Sequence, residues 1–346
     1  MTASEFFVQG FEGGNRWFAG TMLLEIMGLE SRIKTRGAIV HPARGVSLGV
    51  GEGECLGIAG ESGCGKTVLL LSIMRLMPPG GLISSGEILF EGRDLVSIRE
   101  SEMRTIRGRR IAMVFQEPMT ALNPVLTIGN QLIESIRRGG KHTRESARGR
   151  AIDLLQDTGI HSAAQRMQQY PHELSGGMRQ RVMLAMALAS GASLILADEP
   201  TSALDVTVQA RIVTLLHALR SKYNLSLIFV SHDLALLSQL CDRIAIMYLG
   251  RIVEIGSADE IVTGPQHPYT EALLECAGRS CEDGEGVGFK EIPGELPDGS
   301  AYIPGCQFHP RCPLAVEQCR LEKPELKSVT PTHFKACFRT EVGALE

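Results

Sequence analysis

Residues 60 to 67 read Gly60-Glu61-Ser62-Gly63-Cys64-Gly65-Lys66-Thr67, and no other stretch limits the possible folds of this chain so sharply. The run follows the apolar segment Cys55-Leu56-Gly57-Ile58-Ala59 and precedes a helix-like run over residues 68–77 that opens with Val68. A G-x-x-x-x-G-K-[ST] loop between a strand and a helix is a phosphate cradle. Its glycines let main-chain N–H groups turn inward onto phosphate oxygens, and the helix N-terminus adds partial positive charge at the same point. In such a loop Lys66 reaches the β and γ phosphates and the Thr67 hydroxyl coordinates magnesium. Cys64 lies inside the cradle, where it reads as a small residue presenting backbone rather than as a nucleophile.

The surroundings of this loop set the fold class. Short, nearly continuous apolar runs recur at residues 111–115, 194–197 and 225–230, separated by helix-length amphipathic segments. That alternation predicts an α/β core with a mostly parallel sheet covered on both faces. Strand-like runs vanish over about residues 118–181, where helix-forming stretches take over, so a helical insertion is expected there. From about Cys281 the composition shifts to Gly, Pro and Cys with little periodicity, which predicts a separate small module. The expected organisation is an extension over 1–22, an α/β domain over 23–277 and the C-terminal module over 278–346.

Charge and hydropathy exclude other classes. A formal net charge of -4 gives no general attraction to a polyanion. The short basic groups Arg107, Arg109, Arg110 and Arg137, Arg138, Lys141 read as solvated faces. No run approaches the roughly 18 to 20 apolar residues that span a bilayer, and the opening MTASEFFVQGFEGG lacks the basic and apolar regions of a secretory signal. A chain expected to stay in the cytosol has little use for a disulfide framework, although nine cysteines are present.

By itself the cradle indicates only a phosphate-binding NTPase. Further motifs follow it in order, and over about residues 23–277 the chain resembles the ATP-binding-cassette (ABC) family, a P-loop NTPase fold with a RecA-like core and a helical subdomain. Gln116 in VFQEPMTALNP resembles the Q-loop glutamine that contacts magnesium and senses a membrane partner. Ser175, Gly176 and Gly177 in ELSGGMRQR resemble the signature motif, which binds the nucleotide of a partner subunit. Asp198 and Glu199, closing LILADEP, resemble the Walker B aspartate and catalytic glutamate. Ser202-Ala203-Leu204-Asp205 resembles the D-loop, and His232 in FVSHD the switch histidine. The resemblance implies an ATPase with ATP and magnesium as ligands.

The chemistry of these residues agrees with those roles. Asp198 at a strand's C-terminal end supplies a hard oxygen ligand for magnesium. Glu199 can polarise an attacking water as general base, and His232 can stabilise charge on the γ-phosphate. Taken singly each motif is ambiguous: an Asp-Glu pair after a strand also serves as a helix cap, and Ser-Gly-Gly as a turn. At the position where the family places an adenine-stacking aromatic, this chain has Ile33, so the base is expected to rest on an apolar surface.

Within the family the chain resembles the peptide and nickel importer branch, and in particular its D-type subunit. QEPMTALNP, YPHELSGGMRQRVMLAMALA, ADEPTSALDVTVQA, SHDLALLSQLCDRIAIMYLGRIVE and GPQHPYTEALL carry the likeness, with Met178 favouring the D-type reading over the F-type. This implies a heterodimer with an F-type ATPase subunit, two membrane permeases and an extracytoplasmic solute-binding protein, the chain itself lying peripherally on the cytoplasmic face of the membrane. The alternatives are a soluble ABC ATPase of DNA repair or translation, and an ATP-binding metal or redox sensor.

The C-terminal segment, IPGELPD followed by PGCQFHPRCPLAVEQC, resembles the extension of the same branch. Cys306, Cys312, Cys319 and Cys337 are separated by five, six and seventeen residues. Four thiolates could staple a segment too small to have much core. The resemblance implies a four-iron, four-sulfur cluster on these cysteines, with zinc or unligated thiols as the other readings.

Overall fold

A computed structural model describes residues 22–202, 205–276 and 292–339. The expected N-terminal extension therefore lies outside the described residues except for Met22, as do Ala203 and Leu204 of the D-loop and Cys281 at the expected start of the C-terminal module.

The chain begins with strands β1 (Met22–Lys34), β2 (Ile39–Gly51) and β3 (Cys55–Ala59), helix α1 (Lys66–Ile73), then β4 (Gly81–Phe90) and β5 (Arg93–Asp94). Next come α2 (Glu100–Ile106), β6 (Ile111–Val114) and the helices α3 (Pro118–Ala121), α4 (Ile128–Gly139), α5 (Arg144–Asp157), α6 (Ala163–Arg166) and α7 (Gly176–Ala189). β7 (Leu194–Asp198), α8 (Val206–Tyr223) and β8 (Ser226–Val230) follow. The rest is α9 (Leu234–Leu240), β9 (Arg243–Tyr248), β10 (Arg251–Ser257), α10 (Ala258–Thr263), α11 (Pro268–Cys276), α12 (Glu317–Leu321), β11 (Lys327–Ser328) and β12 (Phe334–Lys335). Among the described residues no helix is long and apolar enough to cross a membrane.

The chain divides into two compact units. One gathers the chain up to Gly51, Leu56–Val96 and the stretch from Ser231 onward; the other gathers Glu52–Cys55 and Ser97–Val230.

In the first unit β3 lies parallel to β9, with Ile58 opposite Ala245. Both strands are wholly buried and, apart from Arg243 at the head of β9, apolar, as expected of a strand covered on both faces. The same unit contains a second, antiparallel sheet in the order β2-β1-β4-β5, which departs from the expectation of one mostly parallel sheet. The reason is local: a tight turn in which Thr35 N–H donates to Ala38 O at 3.0 Å returns the chain directly, and so short a connection can join only antiparallel strands.

In the second unit β6, β7 and β8 run parallel, with Met113 opposite Leu196 and Leu196 opposite Ile228. Among the described residues between Val114 and Leu194 there are helices and no strand, as the sequence leads one to expect. Several helices start on a side-chain cap that satisfies an otherwise orphaned N–H. Thr127 accepts from Asn130 N–H at the head of α4, and Thr143 from Ser146 N–H at the head of α5. Of the basic groups, Arg138 pairs with Glu134 on the surface, and Arg107, only 17% exposed, pairs with Glu100.

The C-terminal stretch makes its contacts within a larger unit. It belongs to the first unit, where β12 adds to the edge of β10 with Glu254 opposite Lys335. Beneath that pairing the buried Glu254 carboxylate accepts from Gln266 N–H at 2.6 Å and His267 N–H at 2.9 Å, and it lies 2.6 Å from His333 Nε2. Phe308 packs in an aromatic cluster with Tyr248 and Tyr269, all three buried. A Gly- and Pro-rich segment with little core of its own is stable here because it borrows the core of its unit.

Candidate active site

In the first unit the phosphate loop closes between β3 and α1. Gly60 and Gly65 both have positive φ, at 152° and 113°. A Cβ on Gly60 would meet Met247 O at 2.2 Å, and one on Gly65 would meet Pro42 O at 2.1 Å. Only glycine fits at either position, which is the physical content of the motif.

Lys66 is buried, and its Nζ donates to Gly60 O at 2.7 Å and Glu61 O at 3.0 Å. The ammonium thereby cross-links the loop it serves. Thr67, in the first turn of α1, is exposed. Cys64 is buried, and burial pushes its thiol pKa up. Burial of this kind agrees with a packing role.

Glu61 is held at three points. Its N–H donates to the Tyr269 hydroxyl at 2.9 Å, its carbonyl accepts from Lys66, and its carboxylate forms a two-pronged ion pair with Arg311, at 2.7 and 3.0 Å. Tyr269 and Arg311 carried no assignment in the sequence. Their segments, GPQHPYTEALL and CQFHPRC, stood out only as carriers of a resemblance, because a contact across 208 or 250 residues leaves no local pattern.

His232 also belongs to this unit and is exposed. It sits between Ser231, whose N–H donates to Ile58 O at 3.2 Å, and Asp233, whose carboxylate caps α9 by accepting Leu236 N–H at 3.0 Å. Ile33 is half-buried on β1 opposite Val40.

In the second unit Asp198 ends β7 and is buried. Glu199 follows with φ of 42°, a left-handed backbone that only a well-supported turn sustains in a non-glycine residue. Its N–H donates to Val230 O at 3.1 Å, and its carbonyl accepts the Ser202 hydroxyl at 3.0 Å. Gln116 Nε2 in turn donates to Ser202 Oγ at 3.3 Å. Gln116 and the Glu199 turn are thus linked through the Ser202 hydroxyl, 86 positions from Gln116.

Ser175 caps α7, accepting Met178 N–H at 3.4 Å, and places Gly176 and Gly177 in the exposed first turn. Asp205 caps α8, accepting Val208 N–H at 2.9 Å. Both therefore have a structural duty beside any role toward nucleotide.

The cysteine expectation is not supported by the described residues. Cys306, Cys312, Cys319 and Cys337 are free thiols. They share one region, with Cys306 N–H donating to Cys319 O at 2.8 Å. Burial, reinforced by the neighbouring thiols, pushes Cys306 up to about 11. Yet among the described residues no three His, Cys, Asp or Glu side chains are grouped so as to hold a metal ion. The expected four-iron, four-sulfur cluster and zinc therefore gain no support from the described residues. The support expected from a metal is supplied instead by the β10-β12 pairing, the Glu254-His333 contact and the Arg311-Glu61 ion pair.

Comparison with known proteins decides the family. Residues 43–202 match the ABC transporter family, and residues 253–319 match the oligopeptide/dipeptide transporter C-terminal region. The chain is 42% identical to a probable peptide ABC transporter ATP-binding protein, y4tR, of Sinorhizobium fredii, over 92% of this chain and 95% of that protein. It is 45% identical to the oligopeptide transport ATP-binding protein OppD of Bacillus subtilis, over 91% of this chain and 88% of that one. The chain belongs to the ABC transporter ATP-binding proteins. A solved structure of the ATP-binding cassette MJ0796, a dimer in a post-hydrolysis state bound to ADP and Pi, is similar at 28% identity with a TM-score of 0.61, over 68% of this chain and 98% of that one. As a member of this family the chain is an ABC-type ATPase, and its phosphate loop and Asp198-Glu199 turn both fall inside the matched cassette.

Proposed function

We propose that this ABC ATPase powers the import of oligopeptides or dipeptides, working as a peripheral subunit on the cytoplasmic face of a membrane beside two permeases, with an extracytoplasmic solute-binding protein delivering cargo. The observation that carries the reading is the joint presence of the cassette match and the oligopeptide/dipeptide C-terminal match in one chain. It speaks against a DNA-repair or ribosomal ATPase and against a metal sensor.

In this account main-chain N–H groups of the loop 60–67, apart from that of Glu61, and the Lys66 ammonium grip the triphosphate. Val68, at the head of α1, continues the binding loop into the helix. The Thr67 hydroxyl and Asp198 carboxylate, with Gln116 nearby in role, are hard donors suited to magnesium, which screens the phosphate charge when bound. Glu199 takes the proton of the attacking water as it bonds to the γ-phosphorus, and the bond to the ADP oxygen breaks. His232 donates to the γ-phosphate as charge develops. The base rests on an apolar surface that includes Ile33.

Ser175, Gly176 and Gly177 act on nucleotide held by a second ATPase subunit of the F type, and Asp205 lies at that junction. ATP draws the two cassettes together, provided that it binds the closed pair better than the open one, and Gln116 passes the change to the permeases.

The test is purification from its membrane together with whatever copurifies. Two hydrophobic subunits and ATP turnover raised by peptide-loaded binding protein are expected. Turnover that instead requires nucleic acid or ribosomes would overturn the reading.

A further inference from the structure

Glu61 poses an electrostatic difficulty. It is the second residue of a loop built to receive a polyanion, and a carboxylate there would repel the ligand. The structure answers with a guanidinium from the far end of the chain. Arg311 Nη1 bonds Glu61 Oε2 at 2.7 Å and Arg311 Nη2 bonds Oε1 at 3.0 Å, a fork-to-fork pair. The Arg311 side chain is only 5% exposed and that of Glu61 25%.

The guanidinium is itself fixed in place. Its Nε donates to Pro293 O at 2.8 Å, its Nη2 donates also to Gly294 O at 3.0 Å, and it lies 6.0 Å from the Tyr248 ring centroid. Burial works against the Arg311 charge, but the hydrogen bond to Glu61 more than offsets it and its pKa moves up. The guanidinium end of the pair is thus buried and held at several points.

We propose that Arg311 is a positioning residue for nucleotide: it neutralises and orients Glu61, so that the loop meets the triphosphate without an opposing charge. The proposal rests on the reading that this loop binds ATP. It makes the C-terminal stretch part of the apparatus for nucleotide affinity and not merely an appendage of the cassette. A plain structural staple would give the same contacts, but the two roles respond differently to removal of the Glu61 charge.

The experiment measures the Kd of the full-length protein for magnesium and a non-hydrolysable ATP analogue, with thermal stability read in parallel. Arg311→Met is expected to weaken binding about tenfold or more, equivalent to about 1.4 kcal/mol. Adding Glu61→Gln to it is expected to restore most of the affinity, although the ion pair is still absent. A staple predicts no such rescue, and a double variant as weak as Arg311→Met would overturn the proposal. Should Arg311→Met fail to fold, Glu61→Gln alone decides: affinity equal to or tighter than wild type supports the proposal, and weaker affinity overturns it. Wild type that binds no nucleotide would defeat the underlying functional reading, whereas normal wild-type binding with an unaffected Arg311→Met would defeat only this inference.

Discussion

The hydroxyl of Tyr269 accepts the backbone N–H of Glu61 at 2.9 Å, so a side chain from α11 satisfies a donor in the phosphate loop. Tyr269 is fully buried, and burial raises its pKa well above the ordinary phenol value, so the hydroxyl stays neutral. Tyr269→Phe would keep the packing and orphan the N–H. The expected cost is about 1–3 kcal/mol, read as a lower urea midpoint with unchanged m-value.

The two loop glycines allow a sharper test. Gly60→Ala and Gly65→Ala each drive a methyl group into a main-chain oxygen at close to 2 Å, at 2.2 and 2.1 Å respectively. Both variants are expected to lose nucleotide binding, measured by equilibrium titration. Gly149, on the exposed side of α5 with no heavy atom within 4 Å of an added Cβ, is the contrasting case. Gly149→Ala is expected to stabilise the protein by about 0.5–1 kcal/mol.

His267 makes stability depend on pH. Burial pushes its pKa down to about 4, against the pull of Glu254 and with that of Lys335. Its Nδ1 accepts Tyr269 N–H at 3.1 Å, which requires an unprotonated nitrogen there. The unfolded chain binds a proton near pH 6.5 and the folded chain only near 4, so between those values the unfolded state holds more protons and stability falls as pH falls. From pH 7 to pH 5 the loss is about 2 kcal/mol from this residue. His267→Asn retains an acceptor and cannot titrate in this range, so urea unfolding of that variant should show a flatter dependence on pH.

Much of the fold was legible because its signals are local. The phosphate loop announces itself through glycines that the backbone requires at Gly60 and Gly65, and the buried parallel strands through unbroken apolar runs such as residues 194–197. The antiparallel sheet was not anticipated, because β1 and β2 carry polar residues and register shifts that blur any period of two. In the C-terminal stretch the sequence drew attention to its cysteines and not to the contacts that hold it. Four cysteines are visible in a sequence, whereas the bonds that hold the segment, Arg311 to Glu61 and His333 to Glu254, join residues far apart in the chain. The candidate site residues stand out as motifs, but the helix-capping duties of Ser175 and Asp205 and the hydroxyl linking Gln116 to the Glu199 turn needed coordinates.

Hydrolysis at the Asp198-Glu199 turn is the step on which the transport account stands, and one measurement addresses it directly. Phosphate release by the complete complex in proteoliposomes should fall by about a hundredfold or more in Glu199→Gln, with ATP binding retained and peptide uptake abolished. Phosphate release and uptake at wild-type rates in that variant would contradict the account.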